Sequence, residues 1–136
     1  MNQEKILEIK DLKRNYSMVS PNGETITYCV LKGISFSVKR GEFISIMGSS
    51  GCGKTTLLKT LGMLNKADSG VVKYKGEDTA EIYGEHLAEI RRKEVAFVFQ
   101  DFYLLDSLTV MENIMIPLIL NEDDPNKGKN LSLIHI

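Results

Sequence analysis

The chain has 136 residues, of which 43% are hydrophobic and 26% charged, a balance that builds one domain with an apolar core and excludes an intrinsically disordered chain. Its 17 basic and 18 acidic residues leave a net charge of −1, which excludes a surface built to coat nucleic acid, because neutralising phosphates needs a clear basic excess. Two cysteines, Cys29 and Cys52, are too few for a disulfide framework and fit a reducing compartment.

In chain order, the opening MNQEKILEIK lacks the apolar stretch of a signal peptide, so secretion is not expected. Residues 5–10 alternate apolar and polar and predict a half-buried strand. The PNGE sequence at 21–24 predicts the turn of a hairpin or of a longer β excursion. Ile34, Phe36 and Val38 alternate with Ser35, Ser37 and Lys39, which predicts another half-exposed strand. Arg40-Gly41 then turns the chain into a predicted apolar strand, Phe43–Met47. Beyond residue 55 the period changes, and Leu57, Leu58, Leu61, Met63 and Leu64 form one broad apolar helical face. Asp68-Ser69-Gly70 ends that unit, and VVKYKGED reads as a strand followed by a turn. His86 to Arg92 predicts a short polar helix in which nothing marks His86 as a ligand or switch. Val95–Phe99 predicts a buried strand. Val110 to about Leu120 predicts a helix that Pro117 kinks or ends, and NEDDPNKGKN reads as a polar linker. The longest apolar run, Ile114 to Leu120, falls short of the roughly 20 residues that span a bilayer, so a membrane role is expected to come through a partner.

The chemistry lies in Gly48-Ser49-Ser50-Gly51-Cys52-Gly53-Lys54-Thr55, which follows a predicted strand and precedes a predicted helix. It matches G-x-x-x-x-G-K-[ST], the phosphate loop, in the context that supports that reading. Chance produces such a match on the order of once in a few hundred chains of this length. Glycines let the backbone wrap a phosphate, successive N–H groups form an anion nest, and the helix dipole adds positive potential. Lys54 brings a full charge to the β- and γ-phosphates, and the Thr55 hydroxyl is a hard oxygen suited to Mg2+. Cys52 lies near a helix N-terminus, where thiol pKa values tend to fall. It reads either as an oxidation- or alkylation-sensitive position or as a small residue tolerated in a variable loop position.

A phosphate loop alone does not choose among GTPases, kinases, helicases and transporter ATPases. Over residues 4–120 the sequence resembles the ATP-binding-cassette family. VLKGISFSVKRGEFISIMGSSGCGKTTLLKTLGML is similar to that family's β-subdomain entry, phosphate loop and first helix, and VAFVFQDFYLLDSLTVMENI to its Q-loop region. The resemblance implies an α/β P-loop NTPase fold, three-layered with a mostly parallel sheet, carrying an antiparallel β subdomain. It implies ATP and Mg2+ as cofactors, bound by Gly48, Ser49, Ser50, Gly51, Cys52, Gly53, Lys54, Thr55 and Thr56, with Lys54 and Gln100 as catalytic residues and Thr55 and Gln100 near the metal. Gln100 matches the Q-loop glutamine, and the segment through Leu105 matches the part facing a membrane permease. Read from the residues alone, Gln100 is equally an exposed strand terminus. Tyr16 stands where the family places the ring that stacks on adenine, with Tyr28 as the competing candidate and plain packing of the subdomain as the alternative role. Base stacking of this kind contributes about 1–3 kcal/mol.

The family also uses an LSGGQ-like signature, a Walker B Asp, a Glu that activates water and a switch His, and none is found in this sequence. Leu131-Ser132 begins like the signature, but Leu133 follows. Ile116–Leu120 with the following NEDD imitates a Walker B strand, yet Pro117 argues against a central strand and the segment reads as linker. Residues 1–130 are therefore expected to be part of a nucleotide-binding domain. The terminal LSLIHI is what CTG TCT CTT ATA CAC ATC encodes, a string resembling a transposase adapter end, so 131–136 are expected to be sequencing read-through. By resemblance the parent is an export-type ATPase at the cytoplasmic face of the cell membrane. It is closest to the bacitracin and antimicrobial-peptide resistance, lipoprotein-release and macrolide-export groups, dimerises through its nucleotide-binding domains and works through a separate permease. The competing expectations are a soluble cassette ATPase of translation or DNA repair, and a module that holds nucleotide without turnover.

Overall fold

A computed structural model of the chain describes residues 4–120, and the chain divides into two compact units, Met1–Gly84 and Glu85–Ile136. The expected linker at 121–130 and the terminal six residues lie outside the described residues.

The first unit is built on a four-stranded antiparallel sheet of order β2-β1-β3-β4, with β1 at Lys5–Val19, β2 at Thr25–Lys39, β3 at Ser69–Tyr74 and β4 at Glu77–Asp78. The two long strands form a hairpin closed by the expected turn, where the Ser20 N–H donates to the Glu24 carbonyl at 2.8 Å and the Gly23 N–H to the Ser20 carbonyl at 2.9 Å. Strict alternation in β1 would bring Asp11 to the face of Ile9. A bulge between Ile9 and Leu12 resets the register, with Asp11 at φ 47°, and buries Leu12 completely. The bulge presses on β3. At Gly70, with φ +88°, an added Cβ would stand 2.3 Å from the Asp11 carbonyl oxygen, so no side chain fits there.

Helix α1, Lys54–Leu61, covers this sheet. Leu57 joins Ile9, Leu12, Leu31 and Val72 in the buried core, and Leu61 packs against it. Each such buried aliphatic contributes roughly 1.5–3 kcal/mol relative to exposure. The expected apolar face is narrower than its five residues: Leu58 and Leu64 are exposed, and Met63 is buried only after the helix has ended at Gly62.

Two expected strands do not form. Phe43–Met47 and Val95–Phe99 carry no ladder hydrogen bonds. Phe43, Met47 and Val98 are 93%, 87% and 95% exposed, and only Ile46 of the first segment reaches the core cluster. Central strands of parallel sheets read as continuous apolar runs because both faces and both edges are covered. Among the described residues no strand pairs with either segment, so their hydrophobicity has no ladder to enter.

The second unit holds α2, Gly84–Lys93, and α3, Val110–Leu120. Helix α2 is the expected polar helix, with a Lys93–Glu89 ion pair at 2.8 Å. Helix α3 runs through Pro117 to Leu120, so the proline neither ends it nor removes its last turn. Its start is a reciprocal box. The Glu112 carboxylate accepts the Thr109 N–H and hydroxyl, both at 2.7 Å, and the Glu112 N–H donates to the Thr109 hydroxyl oxygen at 3.3 Å. The Asn113 side chain fastens the preceding loop, accepting the Leu105 N–H at 2.9 Å and lying within reach of the Leu105, Leu108 and Thr109 carbonyls.

The Thr109 N–H and hydroxyl hold the Glu112 carboxyl below its ordinary range. A depressed carboxylate stabilises the fold above its unfolded-state pKa and loses that effect as pH falls through the folded value. Replacing Glu112→Ala is therefore expected to lower the helix content of α3 at neutral pH. The gap to wild type should close on acidification through and below the usual glutamate range, read by circular dichroism at a series of pH values.

Candidate nucleotide-binding site

The loop Gly48–Thr55 enters α1 at Lys54. Gly53 is the N-cap with φ 97° and ψ 7°, a left-handed turn, and no side chain caps the helix. The turn is pressed onto β2: an added Cβ on Gly53 would meet Val30 Cγ1 at 3.0 Å, the Val30 carbonyl at 3.2 Å and Leu31 Cδ2 at 3.3 Å. Gly48 is similarly confined, because a Cβ there would stand 2.7 Å from Cys52 Sγ. The Leu57 N–H bonds to the Gly53 carbonyl at 2.8 Å and opens the helical ladder.

Lys54 folds back over its own loop. Its ammonium donates to the carbonyls of Gly48 at 2.8 Å and Ser49 at 2.7 Å, and lies 3.6 Å from Cys52 Sγ. The first turn of α1 contains no acidic residue. Positive potential at this helix start therefore comes from the ammonium and from the dipole together, with no carboxylate in that turn to cancel it. Ser49, Ser50, Gly51, Cys52 and Thr55 are exposed, whereas Thr56 is half-buried and its carbonyl accepts the Thr60 hydroxyl at 2.8 Å.

Tyr16 belongs to the same unit. It lies on β1 directly opposite Tyr28 of β2, and the two rings are 41% and 51% exposed on one face of the hairpin. Tyr16 is the anchored ring of the pair. Its hydroxyl accepts from Asn65 Nδ2 at 3.3 Å, and the Arg14 guanidinium carbon stands 5.2 Å from its centroid. Arg14 is paired in turn with Asp68, whose other oxygen takes the Asn15 N–H at 2.5 Å. That Asn15 N–H, with the Arg14 guanidinium, holds the Asp68 carboxyl below its ordinary value against the opposing effect of burial.

The model of the ABC transporter family matches residues 31–135. The chain belongs to that family. It is 45% identical over 121 residues to the ABC transporter ATP-binding protein YxdL of Bacillus subtilis, covering 89% of this chain and 45% of that protein. It is 42% identical to the bacitracin export ATP-binding protein BceA of Halalkalibacterium halodurans, covering 86% of this chain and 44% of that protein. The chain thus spans less than half the length of these curated relatives. Among solved structures it resembles the dimeric bacterial ABC transporter cassette MJ0796, at 35% identity and a TM-score of 0.80, covering 93% of this chain and 54% of that one. It also resembles the post-hydrolysis dimer of MJ0796 bound to ADP and Pi, at 38% identity and a TM-score of 0.73, covering 85% and 47%. These neighbours are P-loop ATPase domains, in accord with the fold class expected from the sequence.

Of the ABC residues expected in the site, Gly48 to Thr56 stand together in one loop and helix start, with Tyr16 in the same unit. Gln100 belongs to the second unit, exposed at the end of the Val95–Phe99 segment. The anchoring of Tyr16 by Arg14, Asn65 and Asp68 was not foreseen. Asn65 lies 49 positions from Tyr16 and Asp68 lies 54 from Arg14, beyond any local pattern. The Thr109–Glu112 box was also overlooked, although T-x-x-E before an apolar run is its ordinary signal.

Replacing Gly53→Ala forces a side chain into a left-handed turn, at about 1–2 kcal/mol, and pushes it against β2 at about 1–3 kcal/mol more. The expected outcome is a lower urea midpoint together with a fall in nucleotide affinity of about tenfold or more, read by unfolding and by nucleotide titration.

Proposed function

We propose that this chain is the N-terminal part of the ATPase subunit of an export transporter, which binds ATP on the Gly48–Thr56 loop and works through a separate membrane permease. The observation that carries the reading is Lys54, whose ammonium is satisfied by the Gly48 and Ser49 carbonyls above a helix start free of acidic residues. Phosphate oxygens are better partners for an ammonium than carbonyls, since they carry a full opposite charge and add Coulombic attraction to the hydrogen bond. The loop therefore accepts a triphosphate by exchanging two carbonyl contacts for ionic ones. Loop N–H groups orient the phosphates, Lys54 takes the β- and γ-oxygens, and Tyr16 offers its ring to the adenine.

Mg2+ fits this donor set as a partner of the nucleotide rather than as an ion in a protein cage. Among the described residues no group of three or more His, Cys, Asp or Glu side chains is placed to hold a metal, while the Thr55 hydroxyl is exposed at the loop. Bound there, the ion would neutralise charge on the transferring phosphoryl group. Thr55 would hold it.

The permease would meet the exposed run from Gln100 through Leu105, in which Phe102 is 91% exposed and Tyr103, Leu104 and Leu105 are also open. No helix among the described residues is long and apolar enough to cross a membrane. Dimerisation through the nucleotide-binding domains, a place at the cytoplasmic face of the membrane and export of an antimicrobial peptide or similar cargo follow from the same reading. They are supported by the dimeric cassette and the bacitracin-export relative named above. Those relatives favour transport over a soluble role in translation or DNA repair.

Residues 1–130 are on this reading part of a longer cassette, and 131–136 are read-through. An independent read of the coding DNA across codons 125–136 is expected to continue after Asn130 into an LSGGQ-like signature and a Walker B Asp-Glu; a stop after Ile136 overturns this. In the complete cassette reconstituted with its permease in vesicles, Lys54→Ala is expected to cut ATP turnover by about a hundredfold or more. Undiminished turnover would refute the assignment of Lys54.

A further inference from the structure

The outer edge of β1 loses its neighbour where the candidate base-binding ring begins. Pairing of β1 with β3 ends at Lys13 and Ser69, while pairing with β2 continues to Val19. A strand edge freed in this way leaves N–H groups to be satisfied. The segment after α1 satisfies one of them with a side chain. The Asp68 N–H donates to the Lys13 carbonyl at 3.1 Å, and the Asp68 carboxylate takes the Asn15 N–H and the Arg14 guanidinium together. The carboxylate thus stands where a β3 carbonyl would be, one residue before Tyr16. Three positions earlier, Asn65 is tied back to the last turn of α1 through its own N–H, which donates to the Lys59 carbonyl at 3.1 Å, while its side chain holds the Tyr16 hydroxyl.

We propose that Asp68 and Asn65 are positioning residues for the nucleotide base: through Arg14 and Asn15, and through the Tyr16 hydroxyl, they fix the Tyr16 ring relative to α1, the helix that begins at the phosphate loop. The inference rests on the reading of Tyr16 as the base-stacking ring. Lys54 opens α1 and Lys59 lies in its last turn, so one rigid helix links the group that receives the phosphates to the clamp on the ring. A nucleotide holds its base and phosphates at a fixed span, and a ring set at the matching distance loses little freedom on binding. Arg14 serves both purposes. Its guanidinium faces the ring and pairs with Asp68, so the opposite ring face is the one presented to a base.

The test compares two probes in the complete cassette with Mg2+ omitted: ATP, and inorganic tripolyphosphate, which has no base. Asp68→Ala and Asn65→Ala are expected to weaken ATP binding about three- to tenfold while leaving tripolyphosphate binding unchanged, the effect of losing one or two hydrogen bonds. Tyr16→Phe, which keeps the ring and removes the hydroxyl, should match Asn65→Ala and add nothing to it in the double variant. Asp68→Asn, which keeps an acceptor for the Asn15 N–H, should recover part of the loss. An equal fall for both probes would show general support of α1 and overturn the proposal, as would unchanged ATP binding in both alanine variants while Tyr16→Ala weakens it. If Tyr16→Ala itself leaves ATP affinity unchanged, the base-stacking reading fails and the proposal fails with it. Should Asp68→Ala unfold, Asn65→Ala and Tyr16→Phe carry the same comparison.

Discussion

The left-handed turn at Gly53 is the constraint on which the phosphate-loop unit depends. It reverses the chain into α1 while lying against Val30 and Leu31 of β2, so closely that an added Cβ would push these neighbours aside. One peptide thus sets the start of the helix, its direction over the sheet and the curl of the loop before it. Leu57, on the first turn, then enters the core beside Leu31, so the side of the helix that anchors it and the end that faces the loop are fixed by the same turn. A turn held in this way leaves the loop less to order, and arrangement before binding is what spares a site the cost of ordering itself.

Electrostatics reinforce that geometry. With a net charge of −1 the chain has no general attraction for polyanions, so attraction has to be local. It is concentrated where Lys54 and the dipole of α1 coincide, and the absence of an acid from that first turn leaves the field intact. An N-capping carboxylate would stabilise the helix by the usual 0.5–2 kcal/mol and compete with phosphate for the same N–H groups. Gly53 forgoes that stabilisation. The contrast with α3 is instructive: Glu112 caps its start through Thr109, which closes that helix end to other anions.

How much was legible in the sequence follows from the range of each interaction. The phosphate loop was legible because eight consecutive residues carry its chemistry. The hairpin turn at 21–24, α2 and α3 were legible for the same reason, their signals being local in periodicity or turn residues. The bulge at Asp11 was not, since alternation within 5–10 says nothing of the register shift that buries Leu12 beyond it. Phe43–Met47 and Val95–Phe99 show the opposite error. Their apolar runs are the right composition for central strands, but a strand exists only by virtue of neighbours, and among the described residues no strand pairs with either. Composition reports what a segment can do once paired and leaves the pairing itself unspecified.

The same argument explains why the expected adenine ring could be named before its support could. Tyr16 was picked out by resemblance, with Tyr28 as a rival that sequence alone could not dismiss. Register places the two rings side by side on one face, so position on the hairpin does not separate them. What separates them is attachment: Tyr16 has a hydroxyl held by Asn65, far away in the chain, and at one face the cation of Arg14, itself paired with the distant Asp68. A ring that is to stack on a base gains from being held, because each rotamer frozen beforehand is one fewer to freeze on binding, at about 0.5–1.5 kcal/mol per side chain. Anchoring, rather than exposure or residue type, is therefore the physical ground for preferring Tyr16.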